Sequence, residues 1–473
     1  MSATRRTLRN ALTAAVSTVA IAGLMSPAIA HAAPGSADLF GSLSSAPAGT
    51  ESAAPKNIIY MIGDGMGYNH VAAANLYEAG RSSHQVEGTA GEVSALGGEA
   101  VQSYEGEGWN RLAMPPFQHD NSYDPERAWA DHDYVNEDYT DSAAAGTAMA
   151  TGIKTINGKL GVGPANEILE NTSERAKAVG KAAGVVSDVP FNHATPAAWA
   201  GHNESRNAYE ALAAEMIDGD LDVIMGAGHP FFNDDNERID QPNYRYIGQD
   251  EYERLIEGDT DFVFFDNDEQ FRSLAEGNVE AERYFGLAQV ASTLQQSRSG
   301  EGEVPYSDPH NDVVDLATMS QAALNVLDQD EDGFHLMIEA GAIDWAGHAN
   351  DIARDIEEVQ SLNSAVDAVV DWGETTSSWE ETLLIVTADH ETGYLSGQDE
   401  LPGWRALTGE AGEVPAHDYY SGNHTNMLVP FFFRGAGSED LLAATTGTDP
   451  VRGDYLDNIT AANLTLDNWW ARD

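Results

Sequence analysis

The sequence predicts an α/β fold, a three-layer sandwich in which helices flank a largely parallel central sheet, with loop insertions. Two observations predict it. Continuous apolar runs of strand length recur along the chain, and segments with apolar residues at helical spacing lie between them. We find no internal repeat. In sheets of this kind, functional side chains gather at the carboxyl ends of the strands, so the residues that follow each apolar run matter most.

The first apolar run, 57–62, ends in the tight turn Gly63-Asp64-Gly65-Met66-Gly67, and the clearest run is 382–387. Helical segments separate the runs. The predicted strands are 57–62, 184–187, 222–225, 261–265, 334–339, 382–387 and 427–433. One predicted helix begins near Ser142, and another has Tyr209, Leu212, Ala213 and Met216 on its apolar face. The other predicted helices are 173–181, 311–328 and 352–371.

The amino terminus has the pattern of an export signal over residues 1–32. Arg5, Arg6 and Arg9 precede an apolar stretch, and Ala30-His31-Ala32 offers a small-x-small cleavage site. The paired arginines are similar to a twin-arginine signal. Because Pro27 interrupts the apolar stretch, export to the periplasm or the extracellular space is favoured over a membrane anchor, and no membrane span is expected after cleavage.

Residues 33–55 are rich in Ser, Ala, Gly and Pro, which predicts a flexible linker before a catalytic domain over 56–473. Two polar, acidic stretches inside that domain, 81–138 and 229–310, are predicted as insertions. The first is expected to be a surface excursion and the second an inserted subdomain.

The charge balance is extreme, with 77 acidic against 24 basic residues and a formal net charge of -53. The electrostatic field of the whole protein excludes nucleic-acid binding driven by net charge, because binding to phosphates needs positive charge. An acidic, lysine-poor protein is most stable where salt screens the repulsion between its own charges, so we hypothesise a salt-adapted source. The alternative is an ordinary acidic secreted protein. The chain has no Cys, so any metal must bind to His and carboxylate.

Side chains of the metal-ligand type follow the predicted strands. Asp344 and His348 are four residues apart, one turn on a helix face, just beyond Glu339. Each such residue also has a purely structural interpretation, as a turn, cap or loop residue. Oxygen and imidazole ligands without sulfur suit Zn²⁺ with Mg²⁺ beside it. The candidate metal ligands are Asp64, His193, Thr195, Glu339, Asp344, His348, Asp389, His390 and His424.

Two further residues suit phosphoryl chemistry. Ser142 lies at a predicted helix N-terminus, where backbone N–H groups attract anions. Arg206, expected at the start of a later helix, could bind two phosphate oxygens. The alternatives are a helix cap for Ser142 and, for Arg206, a surface ion pair with Asp141 or Glu204.

Six motifs occur in the order seen in alkaline phosphatases, and the chain resembles that family over most of residues 56–435. They are GDGMG, TDSAAAGTAMATG, HATPAAWAGH with Arg206, EAGAIDWAGH, TADHETG and GNHT. The resemblance implies hydrolysis of phosphate monoesters through a phosphoserine on Ser142, with Arg206 binding phosphate. It implies one Zn²⁺ on Asp344, His348 and His424, a second on Asp64, Asp389 and His390, and Mg²⁺ on Asp64, Thr195 and Glu339 with His193 nearby.

Two residues depart from the family pattern. Trp345 stands where relatives often carry Lys or His, and His193 where some carry Asp, so the third site could accept Zn²⁺ as well as Mg²⁺. A phosphodiesterase or sulfatase of the same superfamily is the alternative enzyme, and a non-catalytic acidic protein that binds cations is the alternative class. Family members are commonly homodimers, so a homodimer is an expectation from the resemblance alone.

Overall fold

Apolar strands and amphipathic helices alternate through the computed structural model, which describes residues 54–300, 302–399 and 403–472. The predicted export signal and residues 33–53 of the predicted linker lie outside the described residues. Within the described ranges, no helix has the length and apolar character needed to cross a membrane.

The strands are β1 (Asn57–Gly63), β2 (Val86–Thr89), β3 (Glu92–Ala95), β4 (Asn110–Met114), β5 (Ala182–Pro190), β6 (Val223–Ala227), β7 (Val263–Phe265), β8 (Tyr284–Leu287), β9 (Phe334–Ala340), β10 (Thr382–Thr387), β11 (Glu391–Thr392), β12 (Leu395–Ser396), β13 (Asp418–Tyr419), β14 (His424–Thr425), β15 (Val429–Gly435), β16 (Gly447–Asp449) and β17 (Gly453–Tyr455).

The α-helices are α1 (Tyr68–Ala79), α2 (His132–Asn136), α3 (Ser142–Thr151), α4 (Thr172–Ala178), α5 (Ala194–Ala198), α6 (Tyr209–Asp218), α7 (Gln249–Glu257), α8 (Asp268–Ala275), α9 (Leu316–Leu327), α10 (Ala342–Ala349), α11 (Ile352–Thr375), α12 (Ser438–Ala443) and α13 (Thr460–Asn463). Short 3₁₀ turns cover Ser103–Glu105 and Arg127–Trp129, and a π-helical turn covers Leu464–Trp469.

Eleven of the strands form one sheet, in the order β16-β17-β4-β15-β10-β1-β9-β5-β6-β8-β7. From β10 to β7 every neighbouring pair is parallel, and β15 is antiparallel to both of its neighbours. All seven residues of β1 and of β9 are buried, as expected for strands covered on both faces. The predicted largely parallel α/β sheet is confirmed.

Helices cover the sheet in two groups, which gives the three layers. In the first group α9 and α11 pack against each other and against the central strands, and α8 and α1 pack against them. The second group contains α3, α4, α5 and α13. The long helix α11 turns Ile356, Val359, Leu362 and Val366 inward, at the spacing of one helix face, and all four are fully buried.

The two predicted insertions contribute to the central sheet. Within 81–138, β4 pairs with β15, and Tyr104 and Trp129 are buried, so the prediction of a surface excursion is wrong for this part. Within 229–310, β7 and β8 extend the same sheet at its edge instead of forming a separate subdomain. Whether either segment is an insertion relative to a minimal family member stays a prediction.

Candidate active site

Three adjacent parallel strands bring the central candidate residues to one edge of the sheet. Ile62 at the end of β1 pairs with Thr387 on one side and with Glu339 on the other. Asp64 lies two residues beyond Ile62, and Asp389 and His390 lie just beyond Thr387. Because the strands are parallel and in this register, residues far apart in sequence converge beyond one edge of the sheet.

The turn after β1 depends on Gly65, which has a φ of +75°. A Cβ atom there would lie 2.8 Å from the Cα atom of Asp344 and 2.8 Å from Oγ1 of Thr392. Glycine therefore serves two purposes, since it adopts the left-handed conformation and lets α10 approach the strand end. This close approach brings Asp344 next to Asp64.

Ligand-type atoms meet in three buried groups, within each of which the atoms lie within 4.8 Å of one another. The groups are Asp64 with Asp389 and His390, Asp64 with His193 and Glu339, and Asp344 with His390 and His424. The expected partner His348 also reaches the third group, because its Nε2 lies 3.1 Å from Nε2 of His424 and 3.4 Å from Oδ1 of Asp344. Thr195 donates to Oδ2 of Asp64 over 3.3 Å.

Two imidazoles are oriented by backbone carbonyls. Nδ1 of His348 donates to the Gly422 carbonyl over 2.7 Å, and Nδ1 of His424 donates to the Thr140 carbonyl over 2.8 Å. A carbonyl only accepts, so Nδ1 carries a proton in each ring and the two Nε2 atoms are left to face Asp344. A bound cation would replace any proton on these Nε2 atoms, which face each other beside a carboxylate oxygen.

The carboxylates are also prepared for a cation. Oδ1 of Asp389 accepts the Gly65 and His390 backbone N–H groups over 3.1 and 2.9 Å, whereas its Oδ2 accepts no hydrogen bond and lies 3.1 Å from Nε2 of His390. Oδ1 of Asp64, Oε1 of Glu339 and Nδ1 of His193 are likewise buried without a hydrogen bond, and Oδ1 of Asp64 lies 3.4 Å from the same Nε2. Buried polar atoms are rarely left unpaired, so these atoms fit a set of divalent ions held by oxygen and imidazole.

The pKa values of the buried carboxyl groups also indicate a cation site. Burial, then the nearby acids Asp389, Asp344 and Glu339, raise the pKa of Asp64 well above its usual value. Burial is the largest cause that raises the pKa of Glu339, to about 8, and the pKa of Asp389, to about 6. Such a cluster of acids is costly to ionise without compensating positive charge.

Ser142 is the first residue of α3 and is 1% exposed. Its Oγ lies 3.2 Å from Nε2 of His390. The preceding residue, Asp141, is the N-cap, and its Oδ1 accepts the Ala144 N–H over 2.9 Å. Asp141 therefore caps the helix, so the side chain of Ser142 is free to face the ligand groups.

Arg206 lies in the turn before α6, three residues ahead of the helix start at which it was expected. Its Nη1 lies 3.1 Å from Oδ2 of Asp141, the oxygen that also accepts the Gly158 N–H over 2.9 Å. The ion pair with Asp141 that was considered as an alternative role is present. It holds the guanidinium beside Ser142, and the two roles are compatible.

Ser142 and Arg206 line one open cavity of about 550 Å³. Its volume is typical of a small-molecule site. Among the described residues that line it, Asp344 is the only carboxylate, although the chain is strongly acidic. The remaining lining residues are Tyr139, His193, Trp345, His348, Asn423 and His424.

The family described as alkaline phosphatase matches residues 117–423, more than half of the chain. The chain belongs to the alkaline phosphatase family. Alkaline phosphatase 3 of Bacillus subtilis is 29% identical over 361 residues, which are 74% of this chain and 64% of that protein. The chain thus spans somewhat less than two thirds of that relative's length.

Two further likenesses extend over most of this alkaline phosphatase family member. The alkaline phosphatase of Escherichia coli K12 is 27% identical over 427 residues, covering 83% of this chain and 84% of that protein. The structure of alkaline phosphatase from the Antarctic bacterium TAB5 matches with a TM-score of 0.60 at 22% identity, covering 88% of this chain and 98% of that one. The structural likeness supports the fold.

Some residues that support the site were not predicted. Thr392 donates to Oδ1 of Asp344 over 2.6 Å, and Ser187 donates to Oε2 of Glu339 over 2.5 Å. Asp188 accepts the Gly341 N–H over 2.6 Å and the Ala342 N–H over 3.2 Å, at the start of α10. Thr392 lies inside the TADHETG motif and Ser187 is the last residue of a predicted strand. Their positions in the sequence could therefore have indicated that both lie near the site.

Proposed function

We propose that this protein hydrolyses phosphate monoesters to an alcohol and inorganic phosphate, with Ser142 as the nucleophile. One observation carries the proposal: Ser142 Oγ, 3.2 Å from His390 Nε2, shares a cavity with the Arg206 guanidinium and with four of the ligand-type residues, which are His193, Asp344, His348 and His424. A hydroxyl, a fixed arginine and buried unpaired carboxylate oxygens together suit phosphoryl transfer.

The residues present fit two zinc ions and one magnesium ion. Asp344, His348 and His424 would hold one Zn²⁺, and Asp64, Asp389 and His390 the other. Asp64, Thr195 and Glu339, with His193 nearby, would hold Mg²⁺ or a third Zn²⁺. When bound, divalent ions supply Lewis acidity and compensate the charge of the carboxylates and the substrate. A variant of the TAB5 enzyme is described with Mg bound in its M3 site.

The protein's own groups then divide the work. Arg206, held by Asp141, donates hydrogen bonds to two oxygens of the phosphoryl group and positions that group beside Ser142. Ser142 gives up its hydroxyl proton to solvent and its Oγ attacks phosphorus, the bond to the alcohol oxygen breaks in line with that attack, and the alcohol leaves with a proton from solvent, so that a phosphoserine forms. Water then attacks the phosphorus, the bond to Oγ breaks, and phosphate is released as Oγ takes back a proton.

A substrate panel tests the proposal against its alternatives. An aryl phosphate monoester, an aryl phosphodiester and an aryl sulfate are compared with and without chelator, in the wild type and in Ser142→Ala. We expect the monoester to turn over fastest, and we expect both the chelator and Ser142→Ala to abolish turnover. A diester or sulfate preference would indicate a sister activity of the superfamily, and no turnover of any ester would indicate a cation-binding protein.

Export through residues 1–32, the twin-arginine route, a salt-adapted source and a homodimer remain predictions. They rest on the sequence and on the family resemblance. Cell fractionation of the expressed full chain would test export, and light scattering of the purified protein would test the dimer.

A further inference from the structure

We propose that Tyr139 and Trp345 form a subsite for an aromatic leaving group, so that the preferred substrates are phosphate monoesters of planar aryl alcohols. The inference rests on the proposed function and specifies its substrate class. Both rings line the cavity that contains Ser142 and Arg206. Both are half-buried, so each offers part of its apolar surface to the cavity.

Each ring is packed against a histidine of the ligand groups. The ring of Tyr139 lies 5.6 Å from that of His424, with 52° between their planes. The ring of Trp345 lies 5.6 Å from that of His193 in an edge-on arrangement of 68°. These contacts tie both aromatic rings to the metal-ligand groups and limit the conformational entropy lost when a ligand packs on them.

The direction of attack sends the leaving group toward the cavity mouth. Ser142 is 1% exposed and lies at the cavity floor, while the side chain of His348 is 38% exposed at its opening. In an in-line displacement the bond that breaks points away from the nucleophile. The alcohol portion of the ester therefore lies away from Ser142, in the part of the cavity toward the solvent.

The chemistry of the lining favours an aromatic alcohol over a charged one. Of the described lining residues, Arg206 is the only cation of the Lys or Arg type and is assigned to the phosphoryl group, and Asp344 is assigned to a metal. No lining group then remains to pair with an ammonium or a second acidic group. The surfaces left for the alcohol are the two rings and the Asn423 amide, and rings stack best on planar groups.

Non-hydrolysable phosphonates test the subsite without interference from leaving-group chemistry. Inhibition constants are measured for phenylphosphonate, cyclohexylphosphonate and methylphosphonate, with inorganic phosphate as the reference. We expect phenylphosphonate to bind most tightly, and each ring to contribute a factor of about 2 to 12 over the methyl compound. Trp345→Leu and Tyr139→Leu should each reduce the phenyl-to-methyl ratio by that factor, and Trp345→Phe should retain most of it.

Tyr306→Leu is the matched control, since Tyr306 also stacks on a histidine, His310 at 5.3 Å, but lines a different cavity. It should leave the ratio unchanged. Equal binding of the phenyl and cyclohexyl compounds, or ratios unchanged in both leucine variants, would overturn the subsite while phosphate inhibition and monoester turnover uphold the proposed function. If neither phosphate nor any phosphonate inhibits and no monoester turns over, the proposed function and the subsite both fail.

Discussion

The two imidazoles proposed to hold a Zn²⁺ together with Asp344 each use both of their ring nitrogens. His348 and His424 donate from Nδ1 to carbonyls of Gly422 and Thr140, and their Nε2 atoms converge on Asp344. Burial alone would raise the pKa of Asp344, but the surrounding histidines, His424 first, hold it well below the usual range. Individual side chains are therefore set up to bind a cation by partners that the motifs alone do not reveal.

Trp345 is one of two residues at which the sequence resemblance predicts a departure from the family pattern, and it lies between two proposed zinc ligands. Replacing it with lysine places an ammonium beside the phosphate position. We expect Trp345→Lys to lower the inhibition constant for inorganic phosphate about two- to fivefold, the effect of a partly exposed ion pair. Steady-state inhibition assays measure it, with Trp345→Met as the neutral control. An inhibition constant equal to that of the wild type would refute this role.

At the scale of elements, the strands near the site were predictable because they are continuous apolar runs, and Asp64, Glu339, Asp389 and His390 followed from their ends. Asp188 was not predictable. It belongs to β5, whose predicted extent stopped at residue 187, and it contacts the start of α10 only through the fold. The strand β4 was missed because the segment around it is polar and Gly-rich, and its burial comes from pairing with β15.

Asp188 is expected to fix the helix that carries Asp344 and His348. Asp188→Ala removes the acceptor for two helix amides, so we expect a stability loss of about 1–2 kcal/mol together with faster loss of zinc to a chelator. Asp315→Ala is the matched control, because Asp315 caps α9, which carries no ligand. Denaturant unfolding and zinc release are both measured. Equal zinc release from the two variants would reduce Asp188 to an ordinary cap.

His202 connects the loop after α5 to α4 and α6. Its Nδ1 donates to Oε1 of Glu215 over 2.9 Å and its Nε2 to the Leu169 carbonyl over 2.9 Å, so both nitrogens carry protons. Burial lowers the pKa of His202, but Glu174 and Glu215 outweigh it and raise the pKa from 6.5 to about 10.

A pKa raised in the folded state gives stability that is complete below the unfolded pKa and disappears as pH rises through the folded pKa. We therefore expect His202→Gln to lower the melting temperature most below pH 6.5, the unfolded value, and not at all well above pH 10. Thermal melts across that range measure the difference. A difference that grows with pH would contradict the ion pairs.

At the scale of the whole molecule, a net charge of -53 must be reconciled with the anionic substrate that we propose. Asp344 is the only carboxylate among the described residues that line the cavity, but Asp64, Glu339 and Asp389 lie just behind the lining, so cations bound to these groups, together with Arg206, would have to supply the local positive charge. Composition predicted the acidic surface, whereas the clustering of these acids behind one cavity depends on chain packing and could not be predicted from composition.

The remaining long-range repulsion should be sensitive to salt, since the Debye length falls to about 3 Å at 1 M ionic strength. We expect kcat/KM for an aryl phosphate to rise as salt is increased from low to molar concentration. Initial rates at low substrate concentration measure kcat/KM. Unfolding with an uncharged denaturant at each salt concentration separates the effect of salt on the stability of the protein from its effect on substrate attraction. A monotonic fall in kcat/KM would contradict the account.

The central claim is that Ser142 carries the phosphoryl group during turnover. The most direct test is an acid quench of the wild type turning over an aryl phosphate, followed by phosphopeptide mass spectrometry. Phosphate should be found on Ser142, should be absent from Ser142→Ala, and should disappear after chelator treatment. Steady turnover of the monoester with phosphate on another residue, or undiminished turnover by Ser142→Ala, would contradict the claim.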